Sequence, residues 1–200
     1  MLIFSRHGQT EHNVADIFQG ICDSPLTARG KEQAKLLNTF LKNHTRGQHF
    51  VVYRSPLPRV LHTTNLATDG LDCNINEIDA LREVCYGDWE GLHKSDIDPD
   101  LFARRENERF TFVHPGSHKG VPGESYKHLY ERLLPHIQKW EKRMDDEEIV
   151  VIAHGGVMTC ALKYFSEPGD QSAETKRVAN NEILLIERKN DHPHLEILSL

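Results

Sequence analysis

Short apolar runs alternate with longer segments of helical period along this chain. The runs are LIFS at 2–5, HFVVYRS at 49–55, INEID at 75–79, EEIVVIAHGG at 147–156, NEILLIE at 181–187 and HLEIL at 194–198. Apolar runs of this length, bounded by polar or turn residues, read as strands. In LTARGKEQAKLLNTFLKNH (26–44), Thr27 suits an N-cap, and Ala34, Leu37, Phe40 and Leu41 fall on one helical face. A helix is predicted from about Val60 to Thr68 and another over GVMTCALKYF (156–165). ESYKHLYERLLPHIQKWEKRM (124–144) puts Tyr126, Leu129, Leu133, Ile137, Trp140 and Met144 on one stripe. Pro135 is expected to kink or split that helix. Leu81 to Gly123 is irregular, apart from a charged helical segment near Asp100 to Glu108.

Strands alternating with helices imply an α/β fold with a largely parallel sheet. We read residues 1–200 as a single domain, a three-layer sandwich with a mixed, mainly parallel sheet flanked by helices. Three strands end on polar groups: Arg6 and His7, the stretch Arg54 to Arg59, and His154. If the sheet is parallel, these ends share one edge, and ligands of open α/β sheets bind at that edge.

Composition narrows the function. Hydrophobic residues make up 38% and charged residues 27%, which argues against disorder. The net charge of −6 argues against nucleic acid or an anionic membrane as the partner. No apolar run approaches the ~18 residues of a membrane span, and Arg6 interrupts any leader-like segment at the N-terminus. Cys22, Cys73, Cys85 and Cys160 are scattered without a CxxC, as in a cytoplasmic protein with free thiols. Thirteen histidines invite a metal hypothesis. However, His114 and His118 flank Pro115–Gly116, His192 and His194 sit near the C-terminus, and no convergent ligand set is visible. Neither a metal nor a cofactor is expected.

Arginines and histidines around glycine-rich turns make a pocket for a dianion. Guanidinium groups match phosphate oxygens in pairs, and glycines such as Gly8 let backbone N–H groups approach. A histidine there can take a phosphoryl group on a ring nitrogen. A carboxylic acid is then needed to protonate the leaving oxygen.

RHGQTEHN resembles the RHG motif of the histidine phosphatase superfamily, the phosphoglycerate mutase-like enzymes. FQG with DSPLTARG, SPLPRVLHTT, LREVCYGDWEG, PGESYKHLYERL and VVIAHGGVM resemble that family's later motifs, in order and over nearly the whole chain. The resemblance implies a phosphoglycerate mutase-like fold and a metal-independent phosphohistidine mechanism. His7 would be the nucleophile. Arg6, Arg59 and His154 would grip the phosphoryl group, and Glu83 would be the proton donor. Asn13 would bind the phosphate, with Thr10, Gln19, Gly20 and Tyr86 near the substrate. Gly155 and Gly156 would offer N–H groups beside His154.

Glu83 stands among other acids, and Asp88 is the runner-up as donor. Lys94, Arg104 and Arg105 are either a solvated charged face or, as the family's mutases imply, a grip on the rest of the substrate. Val60 and Leu61 depart from the family pattern, as does Glu182, which is expected to alter the far wall of the pocket. The expected activity is hydrolysis of a small phosphate monoester, a sugar phosphate or similar metabolite. The segment from Glu83 to PGES is short for a cofactor-dependent phosphoglycerate mutase, which is the alternative. A non-catalytic phospholigand-binding relative is the second alternative. The sequence sets no oligomeric state.

Overall fold

The computed structural model describes residues 1–167, 170 and 172–200. Its strands are β1 (Leu2–Arg6), β2 (Phe50–Arg54), β3 (Cys73–Glu77), β4 (Ser117–His118), β5 (Val121–Pro122), β6 (Ile149–Ala153), β7 (Glu182–Lys189) and β8 (His192–Ser199). Its helices are α1 (Glu11–Val14), α2 (Ala28–Thr45), α3 (Pro58–Ala67), α4 (Pro99–Asn107), α5 (Tyr126–Arg143), α6 (Gly155–Phe165) and α7 (Ser172–Thr175).

Six strands form one sheet in the order β3-β2-β6-β1-β7-β8. β3, β2, β6 and β1 pair in parallel, while β7 and β8 run antiparallel to their neighbours. The sheet is therefore mixed and mainly parallel. The β7–β8 hairpin turns on Asn190 and Asp191, both at positive φ, which a right-twisted two-residue turn requires.

The period of two along the strands divides the core. Leu2 and Phe4 of β1, with Ile149 and Val151 of β6, face α5 and α6. Ile3, Val150 and Ile152 face the other way, against Leu37 and Leu41 of α2 and Val60 of α3. Helices thus cover both faces of the sheet, as a buried parallel sheet requires.

The stripe foreseen on α5 is buried from Tyr126 to Met144, but Pro135 does not split the helix. A helix-interior proline costs ~3 kcal/mol. Fully burying Leu133 and Ile137 on either side of it contributes about as much or more. The elements the sequence did not announce are short: α1, α7 and the β4–β5 hairpin.

β1, β2 and β6 are adjacent and parallel, so their carboxyl ends lie side by side. Arg6–His7, Ser55–Arg59 and His154 meet there.

Candidate active site

The site is built around His7, which is buried one residue past β1. Its backbone N–H continues the ladder to Ala153 O at 2.9 Å. Its Nδ1 lies 2.8 Å from Gly8 O. A carbonyl only accepts, so Nδ1 carries the proton, and Nε2 presents its lone pair. Arg59 Nε donates to that lone pair at 3.2 Å. Burial, then the charges of Arg59 and Arg6, hold the His7 pKa well below the usual histidine range. The ring is therefore neutral at neutral pH, the form a nucleophile needs.

Arg59 lies in the first turn of α3, whose N-terminus is pre-set by Pro58. Its guanidinium also donates to Cys22 O at 2.8 Å, Asp23 Oδ1 at 3.1 Å and Gly20 O at 2.7 Å. It thereby ties the 20–23 loop to His7. Gly20 sits at φ +52°, and a Cβ there would stand 2.2 Å from Glu90 Oε1. Glu90, missed in the sequence, accepts from the N–H groups of Ile21, Cys22 and Tyr86, which joins this loop to the Glu83 segment.

Arg6 donates from Nη1 to Val178 O at 3.1 Å. Burial away from water lowers the pKa of both Arg6 and Arg59, because desolvation disfavours the charged form. His154, fully buried, stacks edge-on against His7 with ring centroids 5.3 Å apart. Its Nε2 lies 2.7 Å from Ser55 Oγ, and its buried Nδ1 has no partner among the described residues. Burial, with Arg59 next, keeps it neutral as well.

Glu83 is buried. Its Oε1 accepts from Val84 N–H at 3.0 Å and its Oε2 from Gly156 N–H at 3.0 Å. Asp88, the runner-up, is exposed, accepts from Ser117 N–H and does not border the cavity.

These groups open into a cavity of about 280 Å³. Six cationic and three acidic side chains border it, so an acidic chain presents a positive pocket. Of the residues named from the sequence, Arg6, His7, Asn13, Gln19, Gly20, Arg59, Glu83, Tyr86, Lys94, Arg105 and Gly155 line the cavity. His154 does not border the cavity; its ring lies 5.3 Å from that of His7.

Four others are placed differently. Thr10 caps α1 through a reciprocal pair with Asn13, and its hydroxyl donates to Gln19 Oε1 at 3.0 Å. Gly8 packs so close to α2 that a Cβ would stand 2.2 Å from Gly30 O, and its N–H is taken by Thr63 Oγ1. Gly156 spends its N–H on Glu83 rather than on a ligand. Arg104 points outward and pairs with Glu108 at 3.1 Å. Glu182 does not reach the pocket wall; Arg177, Val178 and Asn180 form it instead.

Phe18, Phe102 and Tyr126 add an aromatic wall, and Arg105 lies 5.9 Å from the ring centroids of both Phe18 and Tyr126. Phe102, Arg105, Glu106 and Arg109 follow helical spacing, and that was the signal available for this wall. Among the described residues, no three or more His, Cys, Asp or Glu side chains converge as metal ligands. Nor is any helix among them long and apolar enough to cross a membrane.

The sequence profile of a family described as the histidine phosphatase superfamily (branch 1) matches residues 2–200. The adenosylcobalamin/alpha-ribazole phosphatase of Salmonella typhimurium is 30% identical over 159 residues, covering 78% of this chain and 75% of that protein. A 2,3-bisphosphoglycerate-dependent phosphoglycerate mutase of Cytophaga hutchinsonii is 29% identical over 175 residues, 84% of this chain and 78% of that one. The crystal structure of the alpha-ribazole phosphatase from Shigella flexneri superimposes with a TM-score of 0.78 at 26% identity, covering 100% of this chain and 96% of that one.

Proposed function

The chain belongs to the histidine phosphatase superfamily (branch 1), and from that premise we propose that it hydrolyses small phosphate monoesters through a phosphohistidine on His7. The observation that carries this reading is the unprotonated Nε2 of His7, set by the Nδ1–Gly8 O contact, turned toward Arg59 Nε at 3.2 Å and with the His154 ring 5.3 Å away. Nε2 attacks phosphorus, and the ester P–O bond breaks. Glu83 gives its proton to the leaving oxygen. A water then attacks the phosphohistidine and passes a proton back to Glu83, while His7 leaves neutral. Arg6 and Arg59 stabilise the charge on the transferred oxygens. The unpartnered Nδ1 of His154 gains a partner when an oxygen of the phosphoryl group sits beside it. The substrate we propose is a sugar phosphate or similar metabolite, met in the cytoplasm.

The segment between Glu83 and Ser125 holds one nine-residue helix, short 3₁₀ turns and a two-stranded hairpin. A mutase must shield its phosphohistidine from water, and so small a cover favours hydrolysis. The mutase is the second reading, supported by the 29% identical mutase relative and by Lys94 and Arg105 on the cavity wall. The test is a panel of phosphate monoesters assayed beside 3-phosphoglycerate, with and without 2,3-bisphosphoglycerate. Phosphate release independent of the bisphosphate is the expected result. Bisphosphate-dependent isomerisation faster than hydrolysis would replace the first reading with the second. Rates are expected to be unchanged in EDTA, because the guanidinium groups of Arg6 and Arg59 carry the positive charge here.

A further inference from the structure

The antiparallel pairing of β1 with β7 runs from Leu2–Ile186 to Ser5–Ile183 and then stops. On its other flank β1 still follows β6, through Arg6–Ala153 and the His7 N–H to Ala153 O bond. The two edges of β1 therefore differ at the catalytic end: one is paired and the other has opened. In that opening lies the carbonyl of His7, and a side chain meets it. Asn180 Nδ2 donates to His7 O at 2.7 Å. Two residues earlier, Val178 O accepts from Arg6. The stretch Val178–Asn180 thus contacts both residues of the phosphoryl end.

The turn that carries Asn180 is itself pinned. Glu182 N–H donates to Ala179 O at 3.2 Å, which closes a β-turn with Asn180 at its second position. Ala179 N–H donates back to Glu182 Oε2 at 2.7 Å. The rest of the turn's exit is anchored by Ile183 to Ile186 in the core. Glu182, a departure in the sequence with no place on the pocket wall, has its role here.

We propose that Asn180 and Glu182 are positioning residues for His7: Asn180 fixes its main chain, and Glu182 fixes Asn180. The inference rests on His7 being the nucleophile. The orientation of the imidazole is referred to its own backbone, since Nδ1 is held by Gly8 O, the next carbonyl along. A rotation of the chain at His7 therefore swings Nε2 off the line of attack. Misplacement of a reacting atom by ~1 Å can cost about 10²-fold in rate.

The test uses Asn180→Ala, Asn180→Asp, Glu182→Ala and Glu182→Gln, with p-nitrophenyl phosphate turnover, thermal midpoint and the imidazole ¹⁵N signals of His7 as readouts. The aspartate of Asn180→Asp is close in shape to the native side chain, but it cannot donate and sets an oxygen against the His7 carbonyl. Both Asn180 variants are expected to lose about 10- to 100-fold in kcat, with KM changed by less than about threefold. Glu182→Ala is expected to follow them, and Glu182→Gln, whose amide oxygen still accepts from Ala179 N–H, to recover most of the loss. An Asn180→Ala kcat within about twofold of the native value, or a loss accounted for by the unfolded fraction alone, overturns the proposal. If the native protein turns over no phosphate ester, the phosphohistidine reading falls separately. The imidazole signals then decide: unchanged His7 shifts in Asn180→Asp overturn the positioning role.

Discussion

Gly156 donates its N–H to Glu83 Oε2 at 3.0 Å, and a Cβ on residue 156 would stand 2.2 Å from Glu83 Oε1. The second glycine after His154 therefore makes room for the Glu83 carboxyl group. Gly156→Ala is expected to displace Glu83 and to lower kcat by about 10- to 100-fold on a sugar phosphate. On p-nitrophenyl phosphate, whose leaving group needs no proton, the loss is expected to be smaller. Equal losses on both substrates would show that the methyl group disturbs the phosphoryl pocket instead.

Direct removal of the proposed proton donor, Glu83, extends the same logic. Glu83→Gln is expected to lower kcat by about 10²- to 10⁴-fold on alkyl phosphates and far less on p-nitrophenyl phosphate. Asp88→Asn is expected to leave both rates nearly unchanged, because Asp88 is exposed and binds Ser117 N–H away from the cavity. A leaving-group-dependent loss in Asp88→Asn but not in Glu83→Gln would reverse the assignment.

Arg104 and Arg105 separate what the sequence could tell from what it could not. Neighbours on a helix project about 100° apart, so only one of an adjacent pair faces a given wall. Arg105 is the inward one, buried between Phe18 and Tyr126 and paired with Glu106, whereas Arg104 is 64% exposed. Arg105→Ala is expected to raise KM for a sugar phosphate by about 10-fold or more, as loss of a charged hydrogen bond does. Arg104→Ala should change it by less than about twofold. A KM response to Arg104→Ala alone would place the wrong arginine on the wall.

The six strands of the main sheet, the four longer helices and the His7–Arg59–His154 edge were legible because burial writes its period into the chain, as in Leu2–Ile3–Phe4 or the α5 stripe. Glu90, Val178 and Asn180 were not. Their roles depend on main-chain atoms brought from distant segments: Arg6 to Val178 O, Asn180 to His7 O, Glu90 to the N–H groups of Ile21 and Cys22. A carbonyl or N–H has no letter in the sequence. Glycines were visible as letters, but whether Gly8 admits a ligand or Gly30 depends on the packing of α2.

The proposed nucleophile, His7, is open to chemical trapping. His7→Ala is expected to lose at least about 10³-fold in kcat. Native protein quenched during turnover of labelled substrate should carry acid-labile, alkali-stable phosphate on His7. Label on another residue, or unimpaired turnover by the alanine variant, would remove the phosphohistidine from the mechanism.

Buried histidines give the fold a definite response to acid. Burial lowers the pKa of His7 and His154 well below the usual range, and that of His114 to about 4. Between the unfolded pKa near 6.5 and the folded values, the unfolded chain binds the extra protons, so stability rises with pH and falls with acid. Each of the three histidines contributes a slope of about 1.4 kcal/mol per pH unit once pH is well inside that window. Most carboxylates titrate lower, so the loss between about pH 6.5 and 5 belongs chiefly to the histidines. Urea midpoints measured across that range are expected to fall steadily, and His114→Phe should flatten the slope by about one histidine's share. Inorganic phosphate should oppose the fall, since a bound anion beside His7 and His154 favours the folded state that holds it. Midpoints flat between pH 6.5 and 5 would mean that these rings already carry protons in the folded protein, and a protonated His7 Nε2 has no lone pair to attack phosphorus.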